Sequence, residues 1–439
     1  MDADRMTSVP KKSRILMLFA SVWFIAAAAL GTRLSFTLYR QGQIPHQALA
    51  SVPFDQEAGN TAFALSQGQG FGNLFRQDTG PTAWLAPVYP FLLSLIFRAF
   101  GAFTLTSFFA AAILNVVLSA AVTFPLFDVA RRAGGRGAAI AAAWIWVILP
   151  AGVIMPFEWI WDTSLSVLLA TTLVWMTLRI SEAKKIRIWI LYGLLWTLAL
   201  LTNPSLGIAL PFLFLWSAVR ERNTRSSPWR MPAAGFALVV LCCLPWTVRN
   251  YAEFHRMIPL RSSLPFEFWI GNNDIFDEHA VGGVHRITRF EEARRYAQMG
   301  ETAYLDDKWN RAREFAREKP SLFWELTGRR FIATWAGTEH PLADFLKTSS
   351  NLARAVIVCN LILSLGAILG IAQLARSRSN FTFPVAVFPL LYPLVYYVTH
   401  TSLRYRHPID PLLILLTAVA GASIVARIRS SIPSRPAVS

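Results

Sequence analysis

Long uncharged stretches alternate with short charged ones along almost the whole chain. Apolar runs cover 15–32, 99–127, 137–157, 163–178, 188–219, 231–248, 355–375, 379–403 and 411–426. A helix needs about 20 such residues to cross about 30 Å of hydrocarbon, so each run predicts a membrane span. The run 188–219 stands apart in length, because a single helix over it would extend about 48 Å. Asn203-Pro204-Ser205 lies at its centre, where a turn can reverse the chain. Splitting it there gives ten spans.

The placement of Lys and Arg tests that split independently. Arg5, Lys11, Lys12 and Arg14 precede the first span, and Arg427, Arg429 and Arg435 follow the last. Alternate short loops hold Arg131, Arg132 and Arg136, then Lys184, Lys185 and Arg187, then Arg220, Arg222, Arg225 and Arg230, then Arg376 and Arg378. The connections 158–162 and 203–205 hold none. Short basic loops remain cytoplasmic. Ten spans put every one of them on one side, with both termini cytoplasmic. Ala26–Ala29 followed by Gly31 has the small residues of a signal-peptide cleavage site, but the expectation is a first span that stays and packs in the bundle.

Composition agrees with the pattern. The 439 residues are 54% hydrophobic and only 15% charged, where soluble domains carry about 25% charged residues. That excludes a soluble enzyme, a disordered chain and a disulfide-stapled secreted module. The net charge of +16 fits cytoplasmic loops against anionic lipid, and no nucleic-acid-binding signature accompanies it. Cys242, Cys243 and Cys359 all lie within apolar runs, so no disulfide is expected.

Two longer segments fall on the opposite, outer face. These define an N-terminal transmembrane module, 1–248, with a first outer loop at 34–103, then an outer (periplasmic) subdomain at 249–350. The C-terminal helices and tail are 351–439. Within the outer subdomain Leu305, Trp309, Ala312 and Ala316 recur at helical spacing before Pro320. The predicted fold is therefore an all-α integral-membrane bundle of about ten helices with a helical outer subdomain. Pro87 to Phe100 is expected to lie as an amphipathic element along the membrane surface.

Ionisable residues at a membrane edge are costly and so are functional candidates. Asp55 and Glu57 follow the first span, two apart, so only one of them is expected to face a common pocket. Glu158 and Asp162 are four apart and share a face if the segment between them is helical. Arg249 and Arg261 flank the start of the outer subdomain, and His400, Arg404 and Arg406 precede the last span. Arginine forks match phosphate oxygens, and a carboxylate within reach of an acceptor can serve as general base. Interfacial anchoring and a helix-start cap at Asp162 are the structural alternatives. Asp274, Asp277, Glu278, His279 and His285 fall within twelve residues but show no recognised ligand spacing, so no metal is expected.

At Phe54 to Gly101 an acidic residue is followed by A-x-x-L-x-x-G-x-G-F (Ala62 to Phe71) and by P-x-Y-P ahead of Phe100-Gly101. This resembles the polytopic GT-C glycosyltransferases, such as the protein mannosyltransferases and the bacterial aminoarabinose transferases. Leu200 to Pro204, Pro245 to Tyr251, Gly271-Asn272, Gly300 to Tyr304 and Arg404 to Pro408 match in the same order. The resemblance implies transfer of a sugar from a polyprenyl-phosphate carrier to an acceptor on the outer face of a bacterial inner membrane, without a soluble nucleotide. It implies an essential acid in the first outer loop. Ala58-Gly59 and Ala62 to Leu65 keep the family phrasing from Glu57 onward, so Glu57 is favoured over Asp55, and Asp162 or Glu158 matches a second acidic position. Arg249, Arg404 and Arg406, with Arg261 and His400 behind them, are the candidates for the lipid phosphate. The acceptor, whether protein, lipid or glycan, is left open. The competing reading is a lipid or solute transporter. Transporters show paired repeats and broken or charged span interiors, and neither is evident in this sequence. A non-catalytic lipid-binding scaffold is a third reading, and it requires both Asp55 and Glu57 to be dispensable.

Overall fold

The computed structural model describes residues 17–43, 57–75, 78–180, 185–221, 229–273, 290–338 and 351–431. Helix α1, Val22–Gln41, begins the bundle. Helix α2, Glu57–Ser66, and helix α3, Val88–Phe100, follow. Helices α4, Leu105–Ala121, and α5, Thr123–Ile148, form one apolar run that doubles back where Gly135 takes φ 82°. A positive φ is open to glycine without steric cost. Helix α6 is Pro150–Glu158, α7 Thr163–Ile180 and α8 Ile186–Leu200. A 3₁₀ turn at Pro204–Ala209 then leads into α9, Leu210–Glu221, and α10 is Arg230–Phe254.

The outer subdomain contains α11, Leu264–Gly271, α12, Phe290–Met299, α13, Glu301–Glu318, and α14, Pro320–Ala336. The remaining long helices are α15, Asn351–Arg376, α16, Thr382–Leu391, and α17, Asp410–Ser431. A short turn at Leu394–Val398 and another at Leu403–Arg406 lie between the last two.

Among the described residues six stretches are long and apolar enough to cross a membrane, one of them the 44-residue stretch Leu105–Ile148. It bends at Gly135, and Trp146 Nε1 donates to the Ser119 carbonyl at 2.9 Å, so the two arms lie side by side. Val88–Phe100, Ile186–Leu200, Pro204–Arg220 and Thr382–Val398 are shorter apolar helices. The Asn203 side chain caps the 3₁₀ turn by accepting from Ser205 N at 3.2 Å, so the long apolar run divides at Asn203-Pro204.

Side chains pack most of the interior between α5, α7, α8, α15 and α17. The outward apolar residues, such as Trp23 at 73% exposure and Leu241 at 64%, form a continuous belt suited to lipid rather than water. The protein is an integral membrane protein. Contacts between loops fix which ends share a side. Asp128 binds Arg131, Arg132 and Arg179, and Arg220 donates to Asn380 at 2.7 Å. Glu57, Asp162, Asn203, Arg261 and Arg404 gather at the opposite end.

Two expectations need correction. The first span runs past Thr32 to Gln41, with Arg33 fully buried inside the bundle. Its guanidinium donates to Ser119 Oγ at 2.8 Å and to the Ala29 and Trp146 carbonyls at 3.0 Å, which replaces the water that a buried cation would otherwise need. Second, α3 is apolar on its exposed side as well, where Phe91, Leu95 and Phe100 stand out. Arg98 is its single charge.

Candidate active site

A polar cleft of about 740 Å³, its mouth included, opens at the end of the bundle that carries the outer subdomain. Glu57, Asp162, Arg261, Glu267, His400 and Arg404 line it together with tyrosines 392, 396 and 405. Five residues nominated from sequence thus meet in one cavity.

Each is placed by an identifiable local device. Glu57 is the first residue of α2, where the helix dipole favours a carboxylate. Asp162 immediately precedes α7, and its Oδ2 accepts from Ser166 Oγ at 3.1 Å. Ser166 Oγ in turn accepts from Asn203 Nδ2 at 3.2 Å, so the break that splits the long apolar run also supports the acid. The helix-start position and the cleft position of Asp162 are compatible.

Burial raises the pKa of Glu57, and the nearby Arg404 charge opposes that rise. Asp162 is also raised by burial, against the opposing charges of Arg404 and Arg261. Both carboxyl groups therefore hold their protons more tightly than exposed acids do.

Arg404 stacks against three rings, with its guanidinium carbon 4.9 Å from the centres of Trp159 and Trp161 and 4.8 Å from that of Tyr405. It donates to Tyr405 Oη at 2.9 Å. That hydroxyl lies 3.1 Å from His400 Nε2, and His400 Nδ1 lies 3.4 Å from Glu267 Oε2. Burial, reinforced by Arg404, lowers the His400 pKa to about 3, so the imidazole is neutral near neutral pH. With the imidazole neutral, Tyr405 Oη can donate to Nε2, while Nδ1 faces Glu267 Oε2 without a hydrogen bond to that oxygen. Among the described residues no carboxylate lies within ion-pair distance of Arg404 or Arg261. Arg404 and Arg261 stand among Glu57, Asp162 and Glu267 in the cleft and balance their charge without direct ion pairs to them.

The outer subdomain holds the cleft wall through Glu301. Its carboxylate accepts from Thr82 Oγ1 at 2.5 Å, Ala83 N at 2.9 Å, Ser262 Oγ at 2.6 Å and Tyr296 Oη at 2.6 Å. Ser262 N also donates to the Ala83 carbonyl at 2.8 Å. Arg261 and Trp84, the neighbours of these residues, face the cleft.

Three nominated residues lie elsewhere. Helix α6 ends at Glu158 and the chain is extended at Trp159, so Glu158 does not share a helical face with Asp162. It pairs instead with Arg40 at 2.8 Å. Arg249 donates to the Thr82 and Phe71 carbonyls at 2.6 and 2.7 Å and lies over the rings of Phe71 and Trp246. Its donors clamp the first loop rather than face the cleft. Arg406 is buried beside Asp410, 3.1 Å from its Oδ1, and also donates to the Trp335 carbonyl. Asp55 and the residues Asp274, Asp277, Glu278, His279 and His285 lie outside the described residues. Among the described residues no group of three His, Cys, Asp or Glu side chains is arranged to hold a metal.

Glu267, Tyr392, Tyr396, Tyr405 and Asn203 line the cleft without having been nominated. Glu267 had a sequence signal, being the one charge in the apolar helix Leu264–Gly271.

The sequence of residues 84–248 matches the dolichyl-phosphate-mannose-protein mannosyltransferase family. The apo oligosaccharyltransferase of Archaeoglobus fulgidus superposes with a TM-score of 0.53 at 12% identity, covering 98% of this chain and 53% of that one. The chain has the GT-C fold. The archaeal enzyme in complex with an inhibitory peptide and a dolichol-phosphate superposes equally well, with a TM-score of 0.53, 12% identity and the same coverage of both chains. ArnT from Cupriavidus metallidurans matches at 15% identity over 87% of this chain and 76% of that one, with a TM-score of 0.36. The chain spans about half the length of the oligosaccharyltransferase it matches, 53%. No curated protein sequence matches it.

Proposed function

We propose that this protein is a membrane glycosyltransferase that moves a sugar from a polyprenyl-phosphate carrier to an acceptor on the outer face. The observation that carries this reading is the gathering, in one cleft, of three carboxylates, Glu57, Asp162 and Glu267, with two arginines, Arg261 and Arg404, that make no direct ion pair to them among the described residues. The family match and the GT-C fold support it, as does the dolichol-phosphate held by the archaeal relative.

In this scheme Glu57 removes the acceptor proton as a new bond forms to the anomeric carbon. The bond from that carbon to the phosphate oxygen breaks, its electron pair staying on the phosphate, and the configuration inverts. Arg404 and Arg261 stabilise the leaving phosphate. Asp162 orients the acceptor or the base, and neutral His400 fixes Tyr405 beside Arg404. No metal is assigned a role. Short basic loops favour a cytoplasmic position for the opposite end of the bundle, and in this scheme the cleft and the subdomain 249–350, between modules 1–248 and 351–439, face outward. An inner bacterial membrane is the setting that the family resemblance favours. The carrier enters sideways from the lipid, and the acceptor enters from water.

The test uses purified protein in lipid nanodiscs with a panel of polyprenyl-phosphate sugars and membrane-extract acceptors. Release of free polyprenyl phosphate is followed by mass spectrometry. Release by the wild type, lost together with carrier binding in the Arg261→Ala, Arg404→Ala double variant, is the expected result. Carrier that crosses the bilayer with no release under any acceptor condition would identify a transporter instead.

A further inference from the structure

A second cavity lies on the other side of the Thr82–Ala83 strip and plays no part in the scheme above. This open groove of about 1190 Å³, its mouth included, is lined by Asn60, Phe63, Gln69, Asn73, Asp78 and Glu253, with Pro81 at its edge. Two chain segments join it to the cleft. Asn60 lies three residues along α2 from Glu57, a rise of about 4.5 Å. Pro81 lies three residues from Trp84, which lines the cleft, so their Cα atoms are at most about 10 Å apart. The groove therefore adjoins the proposed base without overlapping the arginine end that would hold the phosphate.

The lining chemistry selects an occupant. Gln69 and Asn73 supply amide donors and acceptors and Asp78 and Glu253 supply acceptors, while Asn60 is buried on the Leu74 carbonyl and Arg249 is held by the Thr82 and Phe71 carbonyls. Such a mixed lining matches hydroxyl groups that both give and take hydrogen bonds. Phe63 presents a ring at 37% exposure, an apolar face of the kind that the C–H side of a sugar ring covers. Asn73 sits at φ 57°, donates to Gln69 Oε1 at 3.1 Å and accepts from Thr79 N at 3.2 Å. Glu301 and Arg249 hold the intervening strip from both sides, so a ligand would meet a wall fixed in advance. A lipid acceptor would call for an apolar surface, such as the adjoining furrow lined by Leu65, Val88 and Phe91.

We propose that this groove is the acceptor subsite and that the acceptor is a carbohydrate, held beside the start of α2 that carries Glu57. The inference rests on the transferase reading for the word acceptor, but the sugar site itself does not depend on turnover.

Saturation-transfer NMR on the full chain in nanodiscs tests it, using a panel of neutral di- and trisaccharides and a Ser/Thr-containing peptide as probes. At least one saccharide should receive saturation from the wild type. Its binding should weaken at least tenfold in Phe63→Ala, recover in Phe63→Tyr, and persist in Glu57→Gln. The Phe63→Tyr variant separates loss of the ring from loss of folding. No saturation of any saccharide, saturation of the peptide alone, or saccharide binding that survives Phe63→Ala combined with Asp78→Ala overturns the proposal. Carrier release without saccharide binding removes the sugar site and leaves the transferase reading standing. Saccharide binding without carrier release under any condition does the reverse.

Discussion

The Thr82 hydroxyl donates a 2.5 Å hydrogen bond to Glu301 across 219 residues of sequence. Glu301 is 4% exposed, and the same carboxylate holds Ala83, Ser262 and Tyr296. It joins the first loop to the outer subdomain directly behind the cleft. Glu301→Ala strands several buried donors at once, so a loss of about 3–5 kcal/mol is expected. Glu301→Gln keeps one acceptor oxygen and should lose less. Thermal unfolding in detergent would rank the three proteins, and equal melting temperatures would contradict this role.

Arg404 and Arg406 are two residues apart but face different surroundings. Arg404→Lys removes the planar group stacked between Trp159 and Trp161 and is expected to weaken carrier binding by at least tenfold at little cost in stability. Arg406→Ala leaves Asp410 buried without its arginine and should cost about 3–5 kcal/mol of stability, while the folded fraction binds carrier normally. Carrier titration and thermal unfolding of both variants check the contrast.

Gly271 packs against the Thr399 backbone, with no room for a Cβ beside the Thr399 carbonyl. Asn272 donates to the Val398 carbonyl at 2.8 Å, and Arg330 donates to the Tyr397 carbonyl at 3.1 Å and to that of Gly271. Gly271→Ala must push the segment leading to His400 out of place. Loss of folded protein, or of turnover in what folds, is expected from size-exclusion and release assays, and normal behaviour would contradict the seam as described.

The pH dependence follows from Glu57. Its pKa is raised mainly by burial, with Glu267 adding to the rise and Arg404 opposing it. The base must be ionised to act, so turnover should climb with pH through a limb above about 4.5, the ordinary glutamate region. Glu267→Gln removes a negative neighbour and should move that limb to lower pH. A limb that stays fixed or moves upward would separate Glu57 from the titration.

The bundle was legible because two independent signals agree. Length divides the chain into spans, and the alternation of basic loops decides the one division that length leaves open, at Asn203. The site was legible as a set of neighbourhoods, since acids and arginines mark the edges of spans whose ends must meet. Which member of each neighbourhood faces the cleft was not. Glu158 and Asp162 part company because α6 stops at Glu158. Arg249 is turned away by carbonyls of a loop about 170 residues earlier, with separations of 167 and 178 residues. Arg33 stopped the predicted first span because its partners, Ser119 and Trp146, lie 86 and 113 residues away. Such long-range partners leave no trace in local periodicity.

The central claim is that Glu57 is the base of a transfer from a lipid phosphate bound in this cleft. The most direct measurement is release of free polyprenyl phosphate by wild type and by Glu57→Gln, with carrier binding measured alongside. The account predicts that Glu57→Gln binds the carrier as the wild type does and releases it at least a hundredfold more slowly, since a positioned base contributes about 10²–10⁴ in rate. Undiminished release by Glu57→Gln would contradict it.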